Sequence, residues 1–246
     1  MRKMLFRVLS VVILLAGVVF CLKEKAFELI LAPHRPDFCT FVLAENVANR
    51  LGLGFSMPEY DIPLISTELS AQFMAHISVS CLLAVLLASP YILFELLKFI
   101  SPALYEREKK YSFIVAGVIY AMFISGLMMS YFILFPISFQ FLATYQVDAE
   151  IVNTITIDSY ISTFTTLTFM MGIVFQLPLI VFVLGKMGFV DADILRRYRA
   201  HALVLIMVVS GIITPPDLFS LILVTIPVYG LYELSILVLN RCVGKV

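Results

Sequence analysis

Six apolar runs, each bounded by charged or proline-bearing breaks, leave a chain of this length little choice of architecture. They cover about 4–22, 71–98, 112–135, 159–184, 200–213 and 218–239. In hydrocarbon every backbone N–H and C=O has to be satisfied within the segment, so such runs read as membrane helices. Hydrophobic residues make up 61% of the 246 and charged residues 14%, against roughly 25% charged in an ordinary soluble domain. The expectation is one all-α polytopic membrane domain over 1–246, with no soluble catalytic domain appended.

The runs are not alike. The first follows Arg2 and Lys3, and Val18-Val19-Phe20-Cys21 puts a bulky Phe where a signal-peptidase site needs a small residue, so it reads as a retained span. The second, at about 29 residues or roughly 43 Å, exceeds a hydrocarbon layer of about 30 Å and has to tilt or bend, with Pro90 the place for a kink. The third is expected to end at Pro136, with Ser138–Asp158 returning as an outer loop. The fifth, at about 14 residues, is roughly 9 Å short of the layer; either the bilayer thins beside it or neighbours shield it. The turn Thr214-Pro215-Pro216-Asp217 stops it and starts the sixth. Between the first two spans, Lys23–Ser70 carries Pro33, Pro36, Pro58 and Pro63 and reads as a structured outer cap. Phe41, Val42, Asn46, Asn49 and Arg50 lie at the spacing of a short amphipathic helix within it.

Six spans put both ends on one side, and the cations say which. Arg2, Lys3, Arg7, Lys98, Arg107, Lys109, Lys110, Lys186, Arg196, Arg197, Arg199, Arg241 and Lys245 fall on one side; only Lys23, Lys25, Arg35 and Arg50 fall on the other. That bias places both termini in the cytoplasm.

Several function classes drop out. A net charge of +0 lacks the basic stripe of a nucleic-acid binder. Cys21, Cys39, Cys81 and Cys242 have no repeated spacing, and His34, His76 and His201 are scattered, so neither a disulfide framework nor a metal site is expected. No nucleophile elbow, zinc-protease motif or phosphate loop occurs, and neither catalysis nor a cofactor is expected.

Polar groups inside the apolar runs remain. Each costs several kcal/mol in lipid unless paired or wetted, so Gln176, Glu233 and Glu95 are functional candidates by default. Asp158, Ser162, Thr165, Phe169 and Gly172 fall within about 40° of Gln176 around a helix, giving one small and polar face. That face either packs on a neighbouring helix or opens to a wet cavity. Glu233 lies at a depth similar to Gln176, and Glu95, a turn from the membrane exit, is placed to snorkel. Phe99–Lys110 gathers two acids, three bases and two aromatics into one cytoplasmic loop. Its carboxylates, Glu106 and Glu108, either hold an external guanidinium in bidentate fashion or pair internally with Arg107, Lys109 and Lys110.

Phe-x-x-Pro-Ala-Leu-Tyr-x-x-Glu after the second span, Tyr131-Phe132 through Phe135-Pro136 in the third, Phe175-Gln176-Leu177-Pro178 in the fourth and Thr214-Pro215-Pro216-Asp217 between the last two resemble TatC, the multispanning subunit of the twin-arginine protein translocase. The likeness runs from about Ser66 to the C-terminus. It implies a concave, glove-like bundle of six helices in the bacterial inner membrane. It also implies a receptor for paired-arginine signal peptides, which recruits single-span TatA-type or TatB-type partners in hetero- and homo-oligomers and exports folded proteins on the proton-motive force. Carried over, Phe99, Pro102, Leu104, Tyr105 and Glu108 bind the signal peptide, with Glu108 the guanidinium acceptor, and Pro215, Pro216 and Asp217 form a functional turn. Gln176 stands where many members have Glu and others Gln, which keeps a polar role but not a proton-carrying one. Members usually open with a segment resembling His-Leu-x-Glu-Leu-Arg; here Met1-Arg2-Lys3 lies almost at the membrane, so that part of the receptor surface belongs to a start further upstream or is missing.

The competing reading is a secondary transporter for a small solute, with a midplane site at Gln176 and Glu233. No internal repeat of three spans accompanies it.

Overall fold

The computed structural model describes residues 2–50, 63–100, 112–148 and 153–242. In chain order they form α1 (Arg2–Cys21), α2 (Lys23–Leu31), a 3-10 turn (Ala32–His34), α3 (Cys39–Arg50), β1 (Leu64–Ile65), α4 (Ala71–Ile100) and α5 (Ser112–Met129). A π turn (Ser130–Leu134), α6 (Phe135–Thr144), β2 (Ile155–Thr156), α7 (Ile157–Val174), α8 (Leu177–Lys186), α9 (Ala192–Arg197), α10 (Arg199–Ile213) and α11 (Leu218–Cys242) come next. Among the described residues five stretches are long and apolar enough to cross a membrane: Met4–Cys21, Ala71–Leu96, Ala116–Thr144, Ile157–Lys186 and Leu218–Arg241. Arg199–Ile213 is a shorter apolar helix, as the sequence predicts for the fifth run.

The chain divides into two compact units, the first comprising 1–120 and 131–165, the second 121–130 and 166–246. In the first, α1 and α2 pack along α4. Inside α4, Pro90 has no N–H to offer the Leu86 carbonyl, and the Ser89 hydroxyl donates to that carbonyl at 2.6 Å, so the helix runs on. The segment after α1 is helical over most of its described residues before Arg50, and within it α3 buries Phe41 and exposes Val42, Asn49 and Arg50. The last carbonyls of α2 have no helical partner. Tyrosines supply one: the Tyr131 hydroxyl donates to Leu29 O and the Tyr160 hydroxyl to Ile30 O, each at 2.8 Å. Around them Phe135, Phe139, Phe164 and Tyr160 pack ring on ring, mostly edge to face, with ring centroids 4.9–5.9 Å apart. β1 and β2 add a two-residue parallel pair, Leu64 opposite Ile155 and Ile65 opposite Thr156.

The third apolar run does not stop at Pro136, where the sequence reading ends it. A π turn precedes the proline and α6 carries the rod to Thr144. Pro136 deprives the Phe132 carbonyl of its usual donor, and the Thr40 hydroxyl of α3 donates to it instead.

In the second unit α8, α9 and α10 pack on α11. Gly126 lets helix backbones meet: a Cβ there would lie 2.6 Å from the Met171 carbonyl oxygen. Ser130 and Thr168, both buried, share a hydrogen bond at 3.2 Å. The fourth apolar run is not one helix. It breaks at Phe175 and Gln176, because Pro178 cannot donate to Val174 and the Gln176 N–H turns to Ile173 O at 2.9 Å.

Candidate functional site

The loop singled out by sequence begins at the end of α4. Phe99 lies in the last turn of that helix, while Pro102, Leu104, Tyr105, Glu106 and Glu108 fall outside the described residues.

One turn before Phe99 stands Glu95. It does not snorkel to the interface: only 7% of it is exposed, and its Oε1 takes the Arg7 guanidinium of α1 at 3.1 Å. The Tyr91 hydroxyl approaches the same oxygen at 3.5 Å. A carboxylate taken out of water needs a cation, and Arg7 is the one the fold brings from 88 positions away. The spacing of Arg7 in the sequence carries no sign of this, because it depends on how α1 lies along α4.

Glu233 of α11 also acquires a partner. Arg199 Nη2 donates to Oε2 at 2.7 Å and the Tyr229 hydroxyl donates to Oε1 at 3.1 Å. Nearby, the Tyr232 hydroxyl donates to the Leu195 carbonyl of α9 at 2.7 Å. This pairing is legible in the sequence. Arg199 precedes Thr214 by 15 residues and Glu233 comes 16 after Asp217, so an antiparallel hairpin about the 214–217 turn brings them level.

Gln176 ends the break between α7 and α8 as the residue capping α8; it is half-buried, with its Oε1 shut off from the surface. α8 and α11 run in the same direction, since Gly185 near the end of α8 meets Leu239 near the end of α11. Gln176 stands at the start of α8, which packs on α11, and Glu233 of α11 is committed to Arg199 and Tyr229. On the small face of α7, Gly172 packs against the Phe123 ring and Leu127.

The 214–217 turn is built as an N-cap. Asp217 Oδ1 accepts the Ser220 N–H at 2.7 Å, satisfying one of the first free donors of α11. The Thr214 hydroxyl returns to the Ser210 carbonyl at 2.9 Å, closing α10. Asp217 Oδ2 is buried and without a partner among the described residues.

Comparison with known proteins supplies what this geometry alone does not. The family model described as "Sec-independent protein translocase protein (TatC)" matches residues 1–227. The chain is 34% identical over 186 residues to the TatC protein of Halalkalibacterium halodurans, covering 76% of this chain and 74% of that one. It is 30% identical over 240 residues to the TatC protein of Blattabacterium, covering 96% and 90%. A solved structure titled "Crystal Structure of Twin Arginine Translocase Receptor- TatC in DDM" superposes with a TM-score of 0.78 at 26% identity, over 97% of this chain and 96% of that one. The apolar helices, the Thr-Pro-Pro-Asp turn and these matches agree: the chain belongs to the TatC family, and is a multi-pass subunit of the Sec-independent protein translocase in the bacterial inner membrane rather than an enzyme.

Proposed function

We propose that this chain is the receptor and core subunit of its translocase. It binds twin-arginine signal peptides of folded precursors at its cytoplasmic face and, with TatA-type and TatB-type single-span partners, exports them on the proton-motive force. The observation that carries this reading is the likeness over nearly the whole chain to a structure named as a twin-arginine translocase receptor. The sequence adds Phe99, Pro102, Leu104, Tyr105 and Glu108, a cluster that starts in the last turn of α4 and continues directly beyond it. In this proposal Glu108 accepts the guanidinium groups, and Gln176 with Glu233 belongs to a polar patch reached by water from the cytoplasmic half. The ion pair at Glu233 speaks against a small-solute site, since the carboxylate that would bind an ion is already neutralised by Arg199.

The test is binding of a labelled twin-arginine peptide to the purified protein in detergent. Arg-to-Lys changes in the peptide should abolish binding. Charge-assisted hydrogen bonds are worth about 1.5–3 kcal/mol, so Glu108→Ala should weaken binding roughly tenfold or more, and Glu106→Ala much less. Unchanged affinity in Glu108→Ala removes the assignment of that residue.

A further inference from the structure

We propose that the segment from Met187 to Tyr198, which joins α8 to α10, is seated in the headgroup layer of the membrane and binds anionic phospholipids there, with Arg197 and Arg196 as the phosphate-binding groups.

The reason begins with length. α10 has 15 residues, or roughly 22 Å of rise, against a hydrocarbon layer of about 30 Å. With its Thr214 end at the turn on the far surface, its Arg199 end stops about 8 Å short of the surface that the cations mark as cytoplasmic. The residues just before Arg199 therefore lie where acyl chains meet headgroups.

Their side chains fit that depth. Met187, Phe189, Ile194 and Tyr198 are all exposed, Phe189 at 68% the most, a run of large apolar groups that water penalises and the acyl boundary accepts. Gly188, at φ 77°, ends α8 and turns the chain aside, with the Phe189 N–H closing back on the Leu184 carbonyl at 3.0 Å. α9 is pinned beyond it: it packs on α11, and its Leu195 carbonyl takes the Tyr232 hydroxyl. Ile194 and, one turn on, Tyr198 share a face, and Arg197 stands about 60° round the helix from Ile194.

The cations divide by what already holds them. Arg199 is taken by Glu233, and Lys186 keeps its ammonium over the Phe182 ring, 5.1 Å from the centroid. Arg196 meets Asp193 in a surface pair whose carboxylate side chain is 91% exposed, a weak contact that a phosphate can replace. Arg197 makes no ion pair among the described residues and directly precedes Tyr198. Asp191 and Asp193 lie at the start of α9, so the end that joins the membrane helix is the basic one. A guanidinium fork matches a phosphate in bidentate fashion, and the cytoplasmic leaflet presents anionic headgroups. A soluble anion would leave the apolar face in water, whereas a phospholipid covers both. Such an anchor makes up the length that α10 lacks without thinning the bilayer.

The sequence has no tryptophan, so Tyr198→Trp gives a sole reporter in the full chain. It is reconstituted in phosphatidylcholine vesicles containing phosphatidylglycerol, and quenching by brominated lipids is compared with quenching by acrylamide. Brominated lipid should quench strongly and acrylamide little. Brominated phosphatidylglycerol should be roughly fivefold more effective, mole for mole, than brominated phosphatidylcholine, as one basic group at the surface gives. Arg197→Gln on that background should remove most of the preference, and Arg197→Lys should keep part of it. Ile194→Trp, on the same face, is the reporter if Tyr198→Trp does not fold. Quenching by acrylamide alone would place the segment in water, and shielding from both quenchers would place a protein surface over it. Either result overturns the proposal, as does equal quenching by the two brominated lipids.

Discussion

Two prolines sit in apolar helical rods of this molecule with opposite results. At Pro136 the rod survives: a π turn takes up the distortion and the Thr40 hydroxyl of the cap reaches the orphaned Phe132 carbonyl. At Pro178 the rod breaks, the Gln176 amide folds back to Ile173, and a new helix starts at Leu177. Pro90 sides with the first, through Ser89. A proline removes one donor in every case. A hydroxyl stands on the orphaned carbonyl at Pro136 and Pro90, whereas α11 runs unbroken through Pro227 with no such hydroxyl on Leu223 O among the described residues, so a replacement donor accompanies two of the surviving rods without being required by the third.

The largest expected effect is at the break. Gly126 abuts the Met171 carbonyl at 2.6 Å and the Phe175 Cβ at 2.9 Å, as measured from a Cβ placed on it. A backbone oxygen cannot step aside, so Gly126→Val should cost about 3 kcal/mol in detergent unfolding. Gly117→Ala, on the same helix with no neighbour within 4 Å, should be neutral or slightly stabilising. Equal effects at the two positions would mean that α7 does not rest on Gly126.

Next in size is the hydroxyl at the surviving proline. Thr40→Val keeps the shape and strands the Phe132 carbonyl, at a cost of about 1–3 kcal/mol. Tyr160→Phe, which strands the Ile30 carbonyl beside a side chain only 1% exposed, should cost a similar amount, and the half-buried Tyr131→Phe less. Loss of amide-exchange protection around Phe132 in Thr40→Val would show the first rod turning into the second; a Thr40→Val protein as stable as wild type would show that the hydroxyl is dispensable.

The smallest effect is expected of Pro178→Ala, which returns an N–H to Val174 and should change stability by less than about 1 kcal/mol. Exchange protection of the new amide at 178 would show a healed helix. A freely exchanging amide would assign the break to the packing of Phe175 on Gly126 instead.

Much of this architecture is readable from the chain alone because the solvent is so restrictive. Apolar length locates the rods, the short fifth helix and the Thr-Pro-Pro-Asp turn, and the motifs at 99–108 and 175–178 point to the family. The features that escape such a reading are set by non-local pairing. Nothing in the spacing of Thr40 or Tyr160 announces the carbonyls they serve, 92 and 130 residues away. The same is true of Arg7, whose partner is fixed only when α1 is laid along α4. Treating proline as a stop ends the third rod too early, and the distant hydroxyl that serves the freed carbonyl has no local signature. Glu233 shows the intermediate case: its partner can be found by counting equal distances out from a turn, a step available as soon as the hairpin is accepted.

The π turn at 130–134 also fixes the angular phase of the helix beyond it. One extra residue in a helical turn advances every later side chain by about 100°, so the faces of α6 are set by the length of that turn as much as by its own sequence. Deleting a single residue there would keep Phe135, Pro136, Ser138 and Phe139 on their buried side only by closing the π turn to an α turn, and Ser130 and Tyr131 would then have to reach Thr168 and the Leu29 carbonyl from a narrower turn. Length and identity are therefore constrained together at these five positions.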